Sequence, residues 1–299
     1  MRACPICRSP AYLAPSFLKQ NYAPERITSY SFASRKTPEF MNHELVKCNT
    51  CELVFALTPP GLTTLHSAYH QASYDSSLDA LDAAQSYADI LRPIIKKLTR
   101  AKYALEIGCG NGVLLDRLAE LGFDELIGIE PSKEAIRAAS PKAKTWIHEG
   151  VFEESQFAPN TFDLICCMMT MEHVHEPQKI AQSAIRLLRP GGAFVTVTHD
   201  YRSLVNRLMG KKSPIIDIEH LQLFNRKSIH KLFEDYGFLD IEVADFHNTY
   251  SVKYWLKLSP IPTWIKLLIH RPGNRFDWLS RFKLSINVGN IATVGFKPL

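Results

Sequence analysis

The chain has 299 residues, 46% of them hydrophobic, and a formal net charge of +5 at pH 7. That length holds one large domain plus a small one, with ample material for a core. No apolar run approaches the ~20 residues of a membrane span, and Met1-Arg2-Ala3-Cys4-Pro5 lacks the apolar stretch of a secretory signal. Seven cysteines is an odd number, which fits reduced thiols and a cytoplasmic setting better than a disulfide framework.

Cys4-Pro5-Ile6-Cys7 and Cys48-Asn49-Thr50-Cys51 form two C-x-x-C pairs. Each pair makes a tight turn that presents two thiolates, and two such turns complete a closed tetrahedral site for one structural Zn²⁺. The pairs are 40 residues apart, where a compact ribbon has roughly 15–20, so the intervening Ser-, Pro-, Tyr- and Phe-rich stretch is a long excursion between two knuckles. A redox C-x-x-C is the competing reading, but it normally comes alone at a helix start. His43 reads as a surface residue or a spare ligand. Residues 1–61 are therefore expected to be a small zinc-ribbon-like module.

Residues 62–85 are polar and carry Tyr69 and Tyr74; they read as a linker lying over the mouth of the next domain. From Tyr87 to Leu98, apolar residues recur at helical spacing. Tyr103–Ile107 is a short apolar run, the pattern of a buried parallel strand. Gly108, Gly110 and Gly112 follow, and helical spacing resumes from Val113 to Leu121. Such a turn aims free backbone N–H groups at one point, and without Cβ atoms a ligand can approach closely. Eighteen residues after Gly112, Glu130 ends a second apolar run, placed to accept hydrogen bonds from both ribose hydroxyls of a nucleoside.

The glycine pattern is E-x-G-x-G-x-G, with Glu106 two residues before the first glycine, not the dinucleotide G-x-G-x-x-G. A carboxylate repels a pyrophosphate but welcomes an ammonium. The stretch resembles motif I of the class I S-adenosylmethionine-dependent methyltransferases. That resemblance implies that Glu106 and the backbone of Gly108, Cys109 and Gly110 hold the methionine end of the cofactor, and that Glu130, with Pro131, holds the ribose. The N-terminal segment is similar to the zinc module ahead of the methyltransferase domain in sugar C-methyltransferases and related bacterial enzymes. The match there is Cys51-Glu52-Leu53-Val54-Phe55 and Pro59-Pro60. It further implies that a tyrosine of the linker, Tyr74, touches substrate or cofactor.

Beyond Glu130, Ser132 is placed to cap a helix and Lys144–His148 reads as a third strand. Many relatives by resemblance place an acid directly after the next glycine to bind the adenine amino group; here that position is Val151, and Phe152 is left as a stacking face or core residue. Phe162–Met168 is a fourth strand, with Met169 at its tip flooring the methionine pocket. A helix from Pro177 to Leu188, a turn at Arg189–Gly192 and a strand Ala193–Thr198 follow. Lys227–Tyr236 reads as a helix, and Leu239–Asp245 and Val288–Phe296 as the last strands. The expected fold is α/β: a Rossmann-like, seven-stranded, mostly parallel sheet with helices on both faces, spanning residues 86–299.

Methyl transfer from a sulfonium is an in-line displacement, so the protein must align the acceptor and, where necessary, take its proton. Neutral imidazole is the default base. Glu219-His220 is similar to the element whose histidine is the base in sugar C-methyltransferases, so His220 is the expected base and Glu219 its neighbour. His173 and His199 are expected on the acceptor side, and His175 in solvent. Residues 249–287 carry seven basic residues against one acid, Asp277, with three tryptophans, Trp255, Trp264 and Trp278. The stretch thus carries +6 while the rest of the chain sums to −1. It reads equally as a face for an anionic membrane surface or as an ordinary packed insertion.

The expected activity is methyl transfer from S-adenosylmethionine to a small phosphate-bearing acceptor, most plausibly a nucleotide sugar or a glycan- or lipid-linked intermediate. A ribosomal RNA methyltransferase with a zinc ribbon is the first alternative, argued against by the near-zero net charge of the first module. A nonenzymatic partner-binding protein that keeps the fold is the second, argued against by the intact glycine loop with Glu106 and Glu130.

Overall fold

The computed structural model describes every residue except 35, 37, 260, 263–267 and 270–276. Two sheets organise it. The larger is built from β4 (Tyr103–Ile107), β5 (Glu125–Glu130), β6 (Ile147–Glu149), β7 (Phe162–Met168), β8 (Leu188–His199), β10 (Leu239–Ser251) and β11 (Lys283–Phe296). Its order is β10-β11-β8-β7-β4-β5-β6. β8, β7, β4, β5 and β6 pair in parallel, while β11 runs antiparallel to both of its neighbours. The smaller sheet is antiparallel, in the order β1-β2-β3-β9, from β1 (Ser16–Leu18), β2 (Leu45–Lys47), β3 (Val54–Ala56) and β9 (Gln222–Leu223).

The parallel strands form where sequence pattern alone demands burial. All seven residues of β7 are buried, and so are the last four of β4. Helix α2 (Ser77–Ile95) and α3 (Val113–Glu120) cover one face, burying Ala83, Ala84, Tyr87, Leu91, Leu114, Leu115 and Leu118. On the other face α6 (Pro177–Leu187) and α8 (Arg226–Asp235) bury Ile180, Ala184, Ile229, Leu232 and Phe233. The first module joins this second layer through Ile6, Val46, Leu53 and Phe55. At roughly 1.5–3 kcal/mol for each fully buried large apolar side chain, it is fastened to the main sheet rather than tethered beside it.

Several elements depart from the expected ones. The stretch 62–85 is not an irregular linker: α1 (Leu62–His70) fills its first half, and α2 begins at Ser77 rather than near Tyr87. Alanine dominates the buried face of α2 there, which leaves little apolar contrast to read. The third strand starts at Ile147, because Ser140 caps a short helix, α5 (Pro141–Lys144), through the Ala143 N–H at 2.9 Å. Ser132 caps α4 (Lys133–Arg137) as expected, accepting from the Ala135 N–H at 3.2 Å. The expected turn at Arg189–Gly192 is the bulged start of β8, with Leu188 already paired to Phe162. β10 and β11 both run past the main sheet as a long hairpin, Thr249 opposite Ser285 and Ser251 opposite Lys283.

Within the basic stretch, Trp264, Lys266, Arg271 and Arg275 lie outside the described residues. Of the other tryptophans, Trp255, just inside α9 (Val252–Leu258), donates its ring N–H to the Leu284 carbonyl at 3.0 Å and packs edge-on against Tyr250. Trp278 is 52% exposed beside Phe282. No helix among the described residues is long and apolar enough to cross a membrane.

Candidate active site and cysteine cluster

The carboxyl ends of β4, β5, β7 and β8 open on one cavity of about 980 Å³, where a doubly wound sheet places its ligands. The β4–α3 turn forms its floor. The Gly108 and Cys109 N–H groups both donate to the Ile129 carbonyl, at 2.9 and 3.1 Å, which pins the turn to β5. The turn lies so close that a Cβ on Gly128 of β5 would stand 2.6 Å from Cys109 Sγ. The two outer glycine positions of the turn's first half serve different ends. Gly108 has φ +76°, and a Cβ there would meet Thr170 Oγ1 at 2.4 Å; Gly110 has φ +55°, and its Cβ would meet nothing within 4 Å. Gly108→Ala is therefore expected to lower the melting temperature, by a strain of roughly 1–3 kcal/mol. Gly110→Ala carries the left-handed backbone strain without that clash, so it should lower the melting temperature less and, with its Cβ in the open space, also lower ligand affinity. Thermal melts alongside calorimetric titration with S-adenosylhomocysteine separate the two.

Glu130 is buried and its carboxylate is fully oriented: Oε2 accepts from the Gly110 N–H at 2.7 Å and Oε1 from the Ser132 N–H at 2.8 Å. Burial pushes its pKa up, and these two donors pull it part of the way back. Glu106, Gly108, Cys109, Gly110, Glu130, Pro131, Phe152 and Met169 all line the cavity, as do Tyr74, His173 and His199 on the other side. Phe152 stacks on Phe157 at 6.2 Å between ring centres. Met169 sits at the tip of β7 with φ +52°, its N–H held by the Val197 carbonyl at 2.8 Å. Glu130→Ala should weaken S-adenosylhomocysteine binding by about 1.5–3 kcal/mol, the worth of charge-assisted hydrogen bonds. Calorimetry reads the loss directly.

Facing this half is a cluster of three imidazoles. His173 and His220 lie 4.8 Å apart, and His199 and His220 5.4 Å, between ring centres. Their tautomers follow from their partners, because a carbonyl can only accept. His220 Nδ1–H donates to the Ile215 carbonyl at 2.9 Å and His173 Nδ1–H to the Glu219 carbonyl at 3.2 Å. His199 Nδ1–H donates to Asn290 Oδ1 at 2.6 Å, the amide being oriented by its own bond to Asn248 Oδ1. His220 Nε2 thus keeps its lone pair and has no hydrogen-bond partner among the described residues. Burial holds His173 and His199 down to about 4, and His220 well below the usual histidine range, so all three are neutral at pH 7. His175, expected in solvent, is half-buried, and its carbonyl accepts from Arg2 at 2.7 Å.

Glu219 lines the same space, and its carboxyl has no hydrogen-bond partner among the described residues. The residue is half-buried, and burial pushes its pKa up to about 8. Glu172 is fully buried behind the histidines; one carboxyl oxygen accepts from the His199 N–H at 2.6 Å, and burial raises it to about 7.

Sequence reasoning missed the residues that hold this acceptor-side loop. Lys36, from the excursion between the cysteine pairs, forms ion pairs with Asp217 at 2.8 Å and with Glu39. The ammonium and the Asp217 carboxylate are 3% and 1% exposed. His43, expected at the surface or as a spare metal ligand, instead donates from Nε2–H to the Ile218 carbonyl at 3.0 Å. Arg2 donates to the Leu221 carbonyl at 2.9 Å and to Gln222 Oε1 at 3.2 Å. Nothing near Lys36 or His43 in the sequence marks either residue for this role, since the loop partners Asp217 and Ile218 lie about 180 positions away.

The four cysteines converge. The Sγ atoms of Cys4 and Cys51 are 3.5 Å apart, those of Cys7 and Cys48 are 3.4 Å apart, and all four lie within 4.8 Å of one another. Zn–S bonds of about 2.3 Å in a tetrahedron separate the sulfurs by nearly 3.8 Å, so the cluster fits one zinc with small adjustments. Of the clustered histidines, cysteines and acids among the described residues, this is the set arranged to hold a metal ion.

A family model described as a methyltransferase domain matches residues 80–243. The ubiquinone biosynthesis O-methyltransferase of Vibrio cholerae is 31% identical over 169 residues, covering 50% of this chain and 69% of that protein. The protein of the same description from Pectobacterium carotovorum is 32% identical over 112 residues, covering 36% of this chain. The alignment spans 44% of the length of that relative. Among solved structures, a SAM-dependent methyltransferase from Archaeoglobus fulgidus aligns over 79% of this chain and 100% of its own, at 16% identity and a TM-score of 0.49. Phosphoethanolamine N-methyltransferase 2 of Haemonchus contortus, in complex with S-adenosyl-L-methionine, aligns over 72% of this chain and 52% of its own, at 18% identity and a TM-score of 0.45.

Proposed function

Because the chain belongs to the methyltransferase-domain family, we propose that it transfers the methyl group of S-adenosylmethionine to a small-molecule acceptor, with His220 taking the acceptor's proton. One observation carries this reading: one cavity joins the glycine turn and Glu130 to the Glu219 carboxyl and His220 Nε2, which have no hydrogen-bond partner among the described residues. The open space over Gly110 and the buried acids Glu106 and Glu130 suit a nucleoside with a cationic amino-acid tail. That molecule supplies an already activated methyl group. The chain's own work is to hold it through Glu106, Glu130 and the Gly108–Gly110 backbone, to exclude water, and to align the acceptor.

At neutral pH Glu219 is protonated and donates a hydrogen bond to an acceptor oxygen, while His220 Nε2 accepts the proton of the hydroxyl or acidic carbon that is methylated. The lining also narrows the acceptor. Among the described residues, Lys36 and Lys179 are the lysines that face the cavity, each already paired to an acid, and Glu106, Glu130, Glu153, Glu176, Asp217 and Glu219 face the same space. A phosphate inside would meet net negative charge. The described lining therefore favours a nucleotide sugar or lipid-linked glycan held with its phosphate outside and an uncharged reacting end.

In the same proposal the four cysteines hold a structural zinc, closed by four thiolates and so without a position for chemistry. The test of the activity is the mass of candidate acceptors after incubation with S-adenosylmethionine: one of them should gain a single methyl group. Failure to bind S-adenosylhomocysteine, or a preference for a nicotinamide dinucleotide, would falsify the assignment.

A further inference from the structure

The chemistry of the acceptor side rests on the short loop from Asp217 to Gln222, which carries Glu219 and His220. On one side the loop is tied to the segment that follows β7: the Leu221 N–H donates to the Glu172 carbonyl at 2.9 Å, Gln222 Nε2 to the Val174 carbonyl at 2.8 Å and His173 Nδ1 to the Glu219 carbonyl at 3.2 Å. On the other side its backbone and first side chain are gripped by the N-terminal module: His43 takes the Ile218 carbonyl, Arg2 the Leu221 carbonyl, and Gln222 pairs with Phe55 of β3. From the same module Lys36 adds an ion pair to Asp217.

Lys36 is the one of these contacts that balances charge. Asp217 Oδ2 also accepts from the Glu39 N–H at 3.2 Å, and the Glu39 carboxylate is itself fixed by Ser31 Oγ at 2.8 Å. Two carboxylates, Asp217 and Glu39, are thus drawn together around one ammonium, with the Glu219 carboxyl nearby. Removing that ammonium would leave them repelling each other in a buried site, a cost borne by the Asp217 end of the loop as well as by Glu39. The excursion between the cysteine pairs, far longer than a compact ribbon needs, delivers Lys36 to this place.

We infer that Lys36 is a positioning residue, through which the cysteine module fixes Glu219 and His220 against the acceptor. The inference rests on the reading of those two residues as the acceptor-side pair. It makes the module part of the active-site wall, so a metal that orders Cys4–Cys51 also orders the loop.

Amide hydrogen exchange on the full chain, as purified with its metal, tests this without needing the acceptor. Lys36→Met should speed exchange of the amides of residues 217–221 about tenfold, as expected for a local opening. S-adenosylhomocysteine affinity should stay within about twofold, because the glycine turn is untouched. Lys36→Arg keeps the cation and should restore most of the protection. Treating the unmutated protein with a zinc chelator should loosen the same amides. Unchanged protection in Lys36→Met overturns the inference, and so does a loosening spread equally to residues 103–130 with loss of S-adenosylhomocysteine binding. A chelated protein whose loop stays protected overturns the link to the module. Failure to find any methyl acceptor would instead count against the proposed activity and leave these measurements standing.

Discussion

Replacing His220 by alanine or asparagine is expected to lower turnover by about 10²–10⁴-fold, the usual contribution of a positioned acid–base group. The Ile215 carbonyl fixes the proton on Nδ1, so only Nε2 can take another. Asparagine can keep the bond to Ile215 but has no basic atom, so it should fare little better than alanine. S-adenosylhomocysteine affinity should be nearly unchanged, since His220 faces the acceptor half. A variant that raises KM while sparing kcat would show lost binding instead of lost proton transfer, and would move attention to His199, whose Nδ1 is likewise tied down.

The pH profile separates the two candidates for the base. Burial lowers the His220 pKa, and a lowered pKa means the neutral, proton-accepting form persists to more acid solution. The acid limb should therefore lie well below the ordinary histidine range of about 6.5. Glu219 is displaced the other way, up to about 8. If its neutral carboxyl donates to the acceptor, the rate falls as pH rises through that value and the proton leaves. A rate that climbs through the same region would mean that the carboxylate is the base, and the His220 assignment would fail.

The glycine turn and both flanking strands were legible because their signals are local. Tyr103–Ile107 is a short apolar run of strand length, and the glycines directly after it mark where the backbone must turn. Glu130 was legible from its offset alone. The acceptor side was legible only in part, since a Glu-His pair does not say which atoms meet. Lys36 and His43 carried no local signal at all: one stands between Arg35 and Thr37 in the sequence, the other beside Asn42. Their roles exist only once the chain brings residue 217 to residue 36. The length of the β10–β11 hairpin was hidden for the same reason, because its outer half pairs with itself rather than with a sheet whose burial would leave a pattern. The helices of 62–85 were hidden by composition, since buried alanines look like any small residue.

Changing Cys51 to serine should abolish stoichiometric zinc and unfold the first module. Cys51 is fully buried and its sulfur lies 3.5 Å from Cys4 Sγ, so serine would put a harder, poorly ionised oxygen where a thiolate is needed. Structural zinc contributes about 10–16 kcal/mol to the folding of small zinc peptides. The described residues of 1–61 hold three-residue strands and two short 3-10 turns, too little regular structure to replace a term of that size. Phe55, Leu53 and Val46 would then leave the core layer they share with α6 and α8, so the whole chain should melt earlier. The glycine turn draws its bonds from β5 and should still bind S-adenosylhomocysteine at temperatures where the main sheet survives. Elemental analysis should give one zinc per unmutated chain and none for the variant, with limited proteolysis cutting between residues 8 and 47 only in the latter. Metal-free unmutated protein whose four sulfurs are paired as disulfides would remove the site, and with it the reason for the module's stability.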